Sequence, residues 1–241
     1  MEACILLGAG GSHSLGRRWT TGGDRGRGFA RAASLNGLLY VAGGEDPPTH
    51  TYGHTYYELY GVERYSPASD TWEAVGRMTV ARSRHQLVAL GGFLYAIGGI
   101  YERVRVATAE RYDPATNTWT PIASMASARC DFAAAAMGGF LYVTGGVEGP
   151  AAGPHVVLKR CERYDPASNT WSSIADMPEP RHGHALACLG GSSLYAVGGA
   201  GYASTSPPSR YDVLENTWVV VSLAPGSAEM RDFESSAWAS V

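Results

Sequence analysis

Two pairs of histidines are the residues of this chain whose type and spacing could bind a metal. His50 and His54 are four positions apart and His182 and His184 are two apart, so either pair of imidazoles could chelate one ion. A complete site would need further ligands converging from separate segments, and the sequence around the pairs shows no such set. We therefore predict that the chain holds no metal.

The glutamates of a recurring Glu-Arg dipeptide could act as catalytic carboxylates. They are Glu63, Glu110 and Glu162. Because the dipeptide recurs at regular intervals, we interpret it as structural pairing rather than as an active site. No G-x-S-x-G elbow or activated cysteine occurs, and the glycine-rich residues 8–16 lack the lysine of a phosphate-binding loop. We predict a binding protein that is not an enzyme and needs no cofactor.

The segments that must position these residues repeat four times along the chain. Each copy has an apolar run, a Gly-Gly pair and, later, a Tyr followed seven positions on by a Trp. The pairs begin at Gly43, Gly98, Gly145 and Gly198, with spacings of 55, 47 and 53 residues. The Tyr and Trp partners are Tyr65 and Trp72, Tyr112 and Trp119, Tyr164 and Trp171, and Tyr211 and Trp218. A period near 50 with about four short strands per copy is typical of a β-propeller.

The repeated strings carry a family resemblance. "VERYSPASDTW", "AERYDPATNTW" and "CERYDPASNTW" resemble the kelch repeat, and look most like the kelch domains of the Kelch-like (BTB-BACK-Kelch) Cullin-3 adaptor proteins. The fourth copy, "PSRYDVLENTW", lacks the Glu and the Pro. The resemblance implies an all-β fold: a kelch β-propeller of four-stranded antiparallel blades, with four intact blades and partial blades at both ends.

The boundaries follow from the repeats. We expect a damaged or partial first blade at 1–26, kelch repeats at 27–222, and the start of a further blade or a closing strand at 223–241. The repeats are expected at 27–75, 82–123, 129–175 and 181–222. Two architectures remain open, a five-bladed ring with one composite blade and a fragment of a six-bladed ring.

Each copy is predicted to form four antiparallel strands. In the third copy these are expected at 131–137, 140–146, 158–164 and 170–175. The alanines at 133–136 suit the crowded innermost strand, and the apolar run from Phe140 suits a strand that is covered on both faces. The Gly pairs are expected to need positive φ, and the Tyr and Trp side chains are expected to pack between blades.

Composition limits the partners and the compartment. The net charge is −3 and no long basic run occurs, so we predict no nucleic-acid partner. The four cysteines are scattered without CxxC spacing, which favours free thiols in a reducing compartment. No apolar stretch reaches membrane-spanning length, so we predict no membrane partner and a cytoplasmic location.

Loop lengths vary on one rim of the predicted propeller only. The distance from the Gly pair to the Tyr is 21, 13, 18 and 12 residues, whereas the Tyr-to-Trp turn never changes. Loops that vary on a rigid scaffold are where binding usually occurs, so we predict the binding site on this variable rim. Its loops carry the candidate contact residues His50, His54 and Tyr56, Tyr101 and Arg103, and Tyr202; further candidates are Arg105, Glu148 and His155.

A recurring arginine marks the connection between copies. Arg82, Arg129 and Arg181 each follow a Met by four positions, and their recurrence favours a structural role. Two positions further on, the residues are Phe29 after Arg27, then Arg84, Asp131, Gly183 and Phe233, and they differ in every copy except the outer two. This variation suggests selectivity, so Arg84 and Asp131 join the candidate site.

The resemblance implies a function that the motifs alone do not. In the Kelch-like family the position of Arg84 can supply an arginine that grips an acidic peptide. We therefore expect a protein or peptide substrate, with an indirect link to Cullin-3 through BTB and BACK domains that these residues do not contain. Two alternatives are an actin-binding kelch protein and, less favoured, a kelch-type small-molecule enzyme.

Overall fold

The computed structural model describes residues 27–46, 57–150, 153–201 and 206–222. These ranges contain 22 β-strands and no helix, hence no helix that could cross a membrane. The strands form four four-stranded antiparallel sheets and three two-stranded ones, which confirms the predicted kelch-type blades. The partial blades expected at 1–26 and 223–241 lie outside the described residues.

Each blade uses four strands in chain order, and in blades 1 to 3 a short hairpin lies between the second and third of these strands. Blade 1 contains β1 (Arg31–Leu35), β2 (Leu38–Ala42), β5 (Val62–Ser66) and β6 (Thr71–Ala74), with the hairpin β3 (Glu45–Asp46) and β4 (Tyr57–Glu58). Blade 2 contains β7 (Gln86–Leu90), β8 (Phe93–Ile97), β11 (Ala109–Asp113) and β12 (Thr118–Ile122), with β9 (Ile100–Tyr101) and β10 (Val104–Arg105). Blade 3 contains β13 (Ala133–Met137), β14 (Phe140–Thr144), β17 (Cys161–Asp165) and β18 (Thr170–Ile174), with β15 (Val147–Glu148) and β16 (Val156–Val157). Blade 4 contains β19 (Ala185–Leu189), β20 (Ser193–Val197), β21 (Ser209–Asp212) and β22 (Thr217–Val220).

The first strands of successive blades lie against one another, so they are the innermost strands. β13 consists of four alanines and a methionine, which confirms the expectation of small side chains at this crowded position. The following strand, β14, is buried along nearly its whole length because neighbouring blades cover both faces. Between β1 and β2, Asn36 and Gly37 have φ of 52° and 76°, as a tight two-residue hairpin turn requires.

The Gly pairs end the second strands where the next blade comes closest. Gly43 has φ of 63°, and a Cβ added there would lie 2.3 Å from the carbonyl oxygen of Arg82. The equivalent Gly145 has φ of 61° and would meet the carbonyl oxygen of Arg181 at the same distance. Only glycine fits this backbone approach, which explains why the pair recurs.

Buried ion pairs link the recurring arginines to the recurring glutamates. Arg82 Nε lies 3.1 Å from Glu110 Oε1, and Arg129 Nη2 lies 2.6 Å from Glu162 Oε1, with all four side chains nearly inaccessible. The glutamates of the dipeptide and the recurring arginines therefore have structural roles, as predicted. The structure adds that each glutamate pairs with the recurring arginine rather than with its neighbour in sequence. In blade 4, where the Glu is missing, Arg181 instead donates to Ser209 Oγ at 3.2 Å.

Two hydrogen bonds, one to an Asn and one from a Trp indole, join a residue just after the outer strand of each of blades 1 to 3 to the next blade; we call this pair of bonds the clasp. Ala123, which follows β12, donates its N–H to Asn169 Oδ1 at 2.9 Å, and its carbonyl accepts the indole N–H of Trp171 at 2.8 Å. The same bonds join Gly76 to Asn117 and Trp119, and Ala175 to Asn216 and Trp218. Tyr164 donates its hydroxyl to the same Asn169 oxygen, so the Tyr and Trp of the repeat pack between blades, as predicted.

Candidate protein-binding rim

The antiparallel strand order brings the short hairpins and the connections between blades to one end of the described blades. This end is the variable rim. In each of the four blades, the residue after the recurring arginine forms an isolated antiparallel β-bridge with the first residue of the rim hairpin or loop. The pairs are Gly28 and Glu45, Ser83 and Ile100, Cys130 and Val147, and His182 and Ala200. The rim loops are therefore tied to the same backbone that carries the buried arginines.

Four equivalent residues, which three backbone hydrogen bonds link in a row within the described part of the chain, form what we call the axial ring: Phe29, Arg84, Asp131 and Gly183. Each N–H from Arg84 onward donates to the carbonyl of the ring residue before it, at 3.2, 3.2 and 2.7 Å. Their φ values are 53°, 53°, 52° and 64°, all in the left-handed region. This conformation is uncommon for residues other than glycine, and the three hydrogen bonds stabilise Phe29, Arg84 and Asp131 in it.

Arg84 and Asp131, two residues predicted for the site, meet on this ring. Arg84 Nη1 lies 3.5 Å from Asp131 Oδ2, and Arg84 Nε lies 3.7 Å from Glu45 Oε1. The guanidinium carbon also stacks over the Phe29 ring, 3.8 Å from its centroid. The sequence prediction did not include Glu45 or Phe29 in the site. Phe29 could have been found because it shares the position two residues after a recurring arginine.

A second arginine lies beside this cluster. Arg31 is half-buried at the start of β1, and its guanidinium donates to the carbonyl oxygen of Ala30 at 3.1 Å. Burial lowers the pKa of Arg31, while the carboxylate of Asp131 opposes that shift. Asp131 is thus within the electrostatic range of two arginines, and the centre of the rim contains both signs of charge.

Tyr101 and Arg103 lie on the hairpin of blade 2. Tyr101 is half-buried on β9, and hydrogen bonding with Tyr60, then with Glu102, raises the pKa of its hydroxyl. Arg103 is exposed at the hairpin tip, where it and Glu102 have φ of 62° and 49°. The N–H of Glu102 donates to Glu58 Oε2 at 3.3 Å, which brings the hairpins of blades 1 and 2 together.

Arg105 joins the hairpins of blades 2 and 3, as Glu102 joins those of blades 1 and 2. Its Nη1 donates to the carbonyl oxygen of Gly149 at 2.8 Å and to that of Pro150, and its Nε contacts Cys130 Sγ at 3.2 Å. On the hairpin of blade 3, Glu148 pairs with Arg160 at 2.5 Å. These contacts connect the described rim hairpins into one continuous surface. The candidates His50, His54, Tyr56 and Tyr202 lie outside the described residues and stay predictions.

Three side chains that could act in catalysis, those of His184, Cys130 and Cys161, are buried within the described part of the chain. His184 is buried and hydrogen-bonded through Nε2 to Thr144 Oγ1 at 2.8 Å, and desolvation lowers its pKa to about 3. Burial raises the pKa of Cys130 to about 11 and that of Cys161 to about 12, so both stay protonated thiols at neutral pH. Among the described residues, no cluster of three or more His, Cys, Asp and Glu side chains could hold a metal ion.

Antiparallel blades that share a variable, charged rim define a propeller-type protein-interaction module. The family model described as the KLHDC2/KLHL20/DRC7 Kelch-repeats domain matches residues 29–240. The chain therefore belongs to the kelch-repeat family.

Several curated relatives match most of this chain. It is 31% identical to Kelch-like protein 35 of Mus musculus over 88% of its length, and 33% identical to Alpha-scruin of Limulus polyphemus over 84%. It is 38% identical to human (Homo sapiens) Kelch-like protein 33 over 70%. These matches cover 27%, 17% and 21% of the respective relatives, so the chain spans less than a third of each.

Proposed function

We propose that this kelch domain recognises a protein or peptide substrate on its variable rim, as the substrate-recognition module of a Cullin-3 ubiquitin ligase adaptor. The observation that carries the proposal is the position of Arg84. Its backbone is fixed by the axial ring, while its side chain stays about one-third exposed at the centre of the rim. A cation held in place before binding loses little conformational entropy when a partner docks.

Several features of the described residues favour binding over catalysis. The buried thiols have raised pKa values, His184 is hydrogen-bonded within the core, and the dipeptide glutamates Glu110 and Glu162 neutralise buried arginines. The exposed polar groups instead lie on loops supported by a rigid scaffold, which is the usual arrangement of recognition surfaces.

The similarity to Kelch-like proteins 35 and 33 supports the adaptor assignment. In such an adaptor the link to Cullin-3 is made by BTB and BACK domains, so this kelch domain would hold the substrate and other domains would deliver it. We propose a cytoplasmic location on the same grounds.

Actin filaments are the second candidate partner. The kelch resemblance implies filament binders as well as substrate adaptors, and the match to Alpha-scruin lies outside the Kelch-like proteins. Co-sedimentation of the purified chain with filaments distinguishes the two. An adaptor module stays in the supernatant, whereas a filament binder appears in the pellet at a saturable ratio.

Affinity capture from a cell lysate tests the proposal. The baits are the purified wild-type chain and its Arg84→Glu and Glu215→Lys variants. Glu215→Lys is the control, since it reverses a charge at an exposed turn between β21 and β22, at the end of the blades opposite the variable rim. We expect at least one protein to be retained by wild type and Glu215→Lys and lost by Arg84→Glu. Equal retention by all three would contradict a site at Arg84.

A further inference from the structure

Arg84 is flanked by two carboxylates, so it is not a free cation. Asp131 Oδ2 lies 3.5 Å away on one side and Glu45 Oε1 lies 3.7 Å away on the other. Both distances exceed the 2.7–2.9 Å or so of a strong charge-assisted hydrogen bond. The guanidinium is therefore shared between two loose contacts, and both carboxylates keep the capacity to bind a further cation.

The row of charges is fixed before any partner arrives. Glu45 exchanges backbone hydrogen bonds with Gly28 at 2.7 and 3.0 Å, which anchors the hairpin of blade 1. Arg84 and Asp131 are held by the axial ring, in the connections that precede blades 2 and 3. The three residues thus come from three parts of the chain, yet their order of negative, positive, negative is set by backbone contacts.

The order of charges determines which charged partner segments can bind at Arg84. An isolated acidic side chain that approached Arg84 would also approach Glu45 and Asp131, and like charges at that distance repel. Arg31 offsets part of the charge of Asp131, whereas Glu45 has no second arginine among its ion pairs in the described residues. An acidic residue with basic neighbours would meet the opposite charge at all three positions. Asp131 and Arg84 are 20% and 34% exposed, and Glu45 is 12% exposed, so the row can be reached from solvent.

We infer that Glu45 and Asp131 are specificity-determining residues that restrict the Arg84 site to a protein segment in which an acidic residue is flanked by basic residues. The inference rests on the proposed rim-binding function and names the chemistry of the partner. Glu45 and Asp131 disfavour segments whose charges are all acidic, so they act on selectivity as well as on affinity.

Conservative variants separate the charge of these residues from their structural role. Asp131→Asn removes the charge and suits a φ of 52°, because asparagine tolerates the left-handed region. Glu45→Gln removes the other flanking charge while leaving the backbone bridge to Gly28 intact. Asp46→Asn is the matched control, since it removes the same charge at the next position of β3.

The test is selection from a phage-displayed library of random twelve-residue peptides on the immobilised, full 241-residue chain at low salt. We expect wild type and Asp46→Asn to enrich peptides in which Asp or Glu lies beside Lys or Arg. Asp131→Asn and Glu45→Gln should raise the ratio of purely acidic to mixed-charge peptides about tenfold. Arg84→Gln should lose the acidic enrichment altogether.

The outcomes separate this inference from the proposed function. If wild type enriched purely acidic peptides in the same ratio as Asp131→Asn, the flanking carboxylates would not set specificity, although binding at Arg84 would stand. If wild type enriched the same peptides as Arg84→Gln, or no peptides, both the specificity and the site at Arg84 would be overturned. Near-ultraviolet circular dichroism of each variant establishes that it is folded.

Discussion

The backbone N–H of Asp131 donates to the carbonyl oxygen of Arg84 at 3.2 Å, and the side chains of the same two residues meet at 3.5 Å. The two residues belong to different blades, 47 positions apart. Their contact therefore makes the centre of the variable rim a property of the assembled blades. Any change that separates blades 2 and 3 should alter the binding surface as well as the stability.

The buried ion pair of Arg82 and Glu110 should matter far more than an exposed pair of similar geometry. Both buried side chains are 1% exposed, so Glu110→Ala leaves an uncompensated guanidinium and should lower the free energy of unfolding by about 3–5 kcal/mol. Arg64 and Glu73 pair at 2.7 Å on the surface, where Glu73→Ala should cost less than about 1 kcal/mol. Urea denaturation of both variants measures the difference, and equal losses would contradict the scaffold role of the buried pair.

A missing hydrogen bond in blade 1 can be supplied by copying blade 3. His184 bonds to Thr144, which precedes the Gly pair of blade 3. His85 lies against Gly43 as His184 lies against Gly145, and the residue before Gly43 is Ala42. Neither ring nitrogen of His85 has a partner among the described residues. Ala42→Thr should therefore stabilise the fold by about 1 kcal/mol, and Thr144→Ala should destabilise it by about 1–3 kcal/mol. Thermal and urea unfolding measure both. A loss on Ala42→Thr would mean that the site is too tightly packed for the added atoms.

Acid should destabilise the fold through the buried histidines. Desolvation lowers the pKa of His184 from 6.5 to about 3 and that of His85 well below 6.5. The unfolded chain then binds more protons than the native one below pH 6.5, so the free energy of unfolding should fall as the pH decreases from about 6.5 towards 3.

His85→Phe isolates one histidine from this effect. Phenylalanine is the natural residue at the equivalent position of blade 3, where Phe132 packs on Gly98 as His85 packs on Gly43. The variant should be as stable as wild type at pH 7, or about 1 kcal/mol more stable, and should lose less stability at pH 4.5. Urea denaturation at both pH values measures the change, and an unchanged pH dependence would exclude His85 from it.

The clasp between blades should be worth more than one hydrogen bond. Asn169 accepts bonds from Ala123 N–H and from the Tyr164 hydroxyl while its own φ is 53°. Asn169→Gly keeps this conformation and should lose about 1–3 kcal/mol, whereas Asn169→Ala adds backbone strain and should lose about 1 kcal/mol more. Urea denaturation of the two variants separates the loss of hydrogen bonds from the backbone strain. Equal losses of stability would show that alanine at position 169 adds no backbone strain.

Local patterns predicted the blades because each blade is built from local signals. The Gly pair and the inner alanines of β13 lie within single repeats, and the structure agrees with both. Two strand starts were predicted too early, because β13 begins at Ala133 rather than Asp131 and β17 begins at Cys161 rather than Leu158. The pairing of Arg82 with Glu110 was not predictable, because it joins residues 28 positions apart and skips the adjacent Arg111. The neighbouring arginine instead stacks on Phe93, with its guanidinium carbon 4.4 Å from the ring centroid.

The centre of the rim was predicted only in part, for a physical reason. The repeat register identified Arg84 and Asp131 as equivalent positions. An Arg gives no sign of positive φ and an Asp only a weak one, so Gly183 alone suggests this conformation clearly. The contact of Arg84 with Glu45 depends on how the hairpin of blade 1 folds over the ring, so spacing could not reveal it.

The equilibrium binding of a captured rim partner tests the central claim most directly. Calorimetric titration of the purified partner into wild type, Arg84→Glu and Glu215→Lys gives three dissociation constants under one set of conditions. A docking site centred on Arg84 predicts that Arg84→Glu binds at least about tenfold more weakly, since reversal places a third negative charge between Glu45 and Asp131, while Glu215→Lys binds like wild type. Equal constants for all three proteins would contradict recognition at this rim.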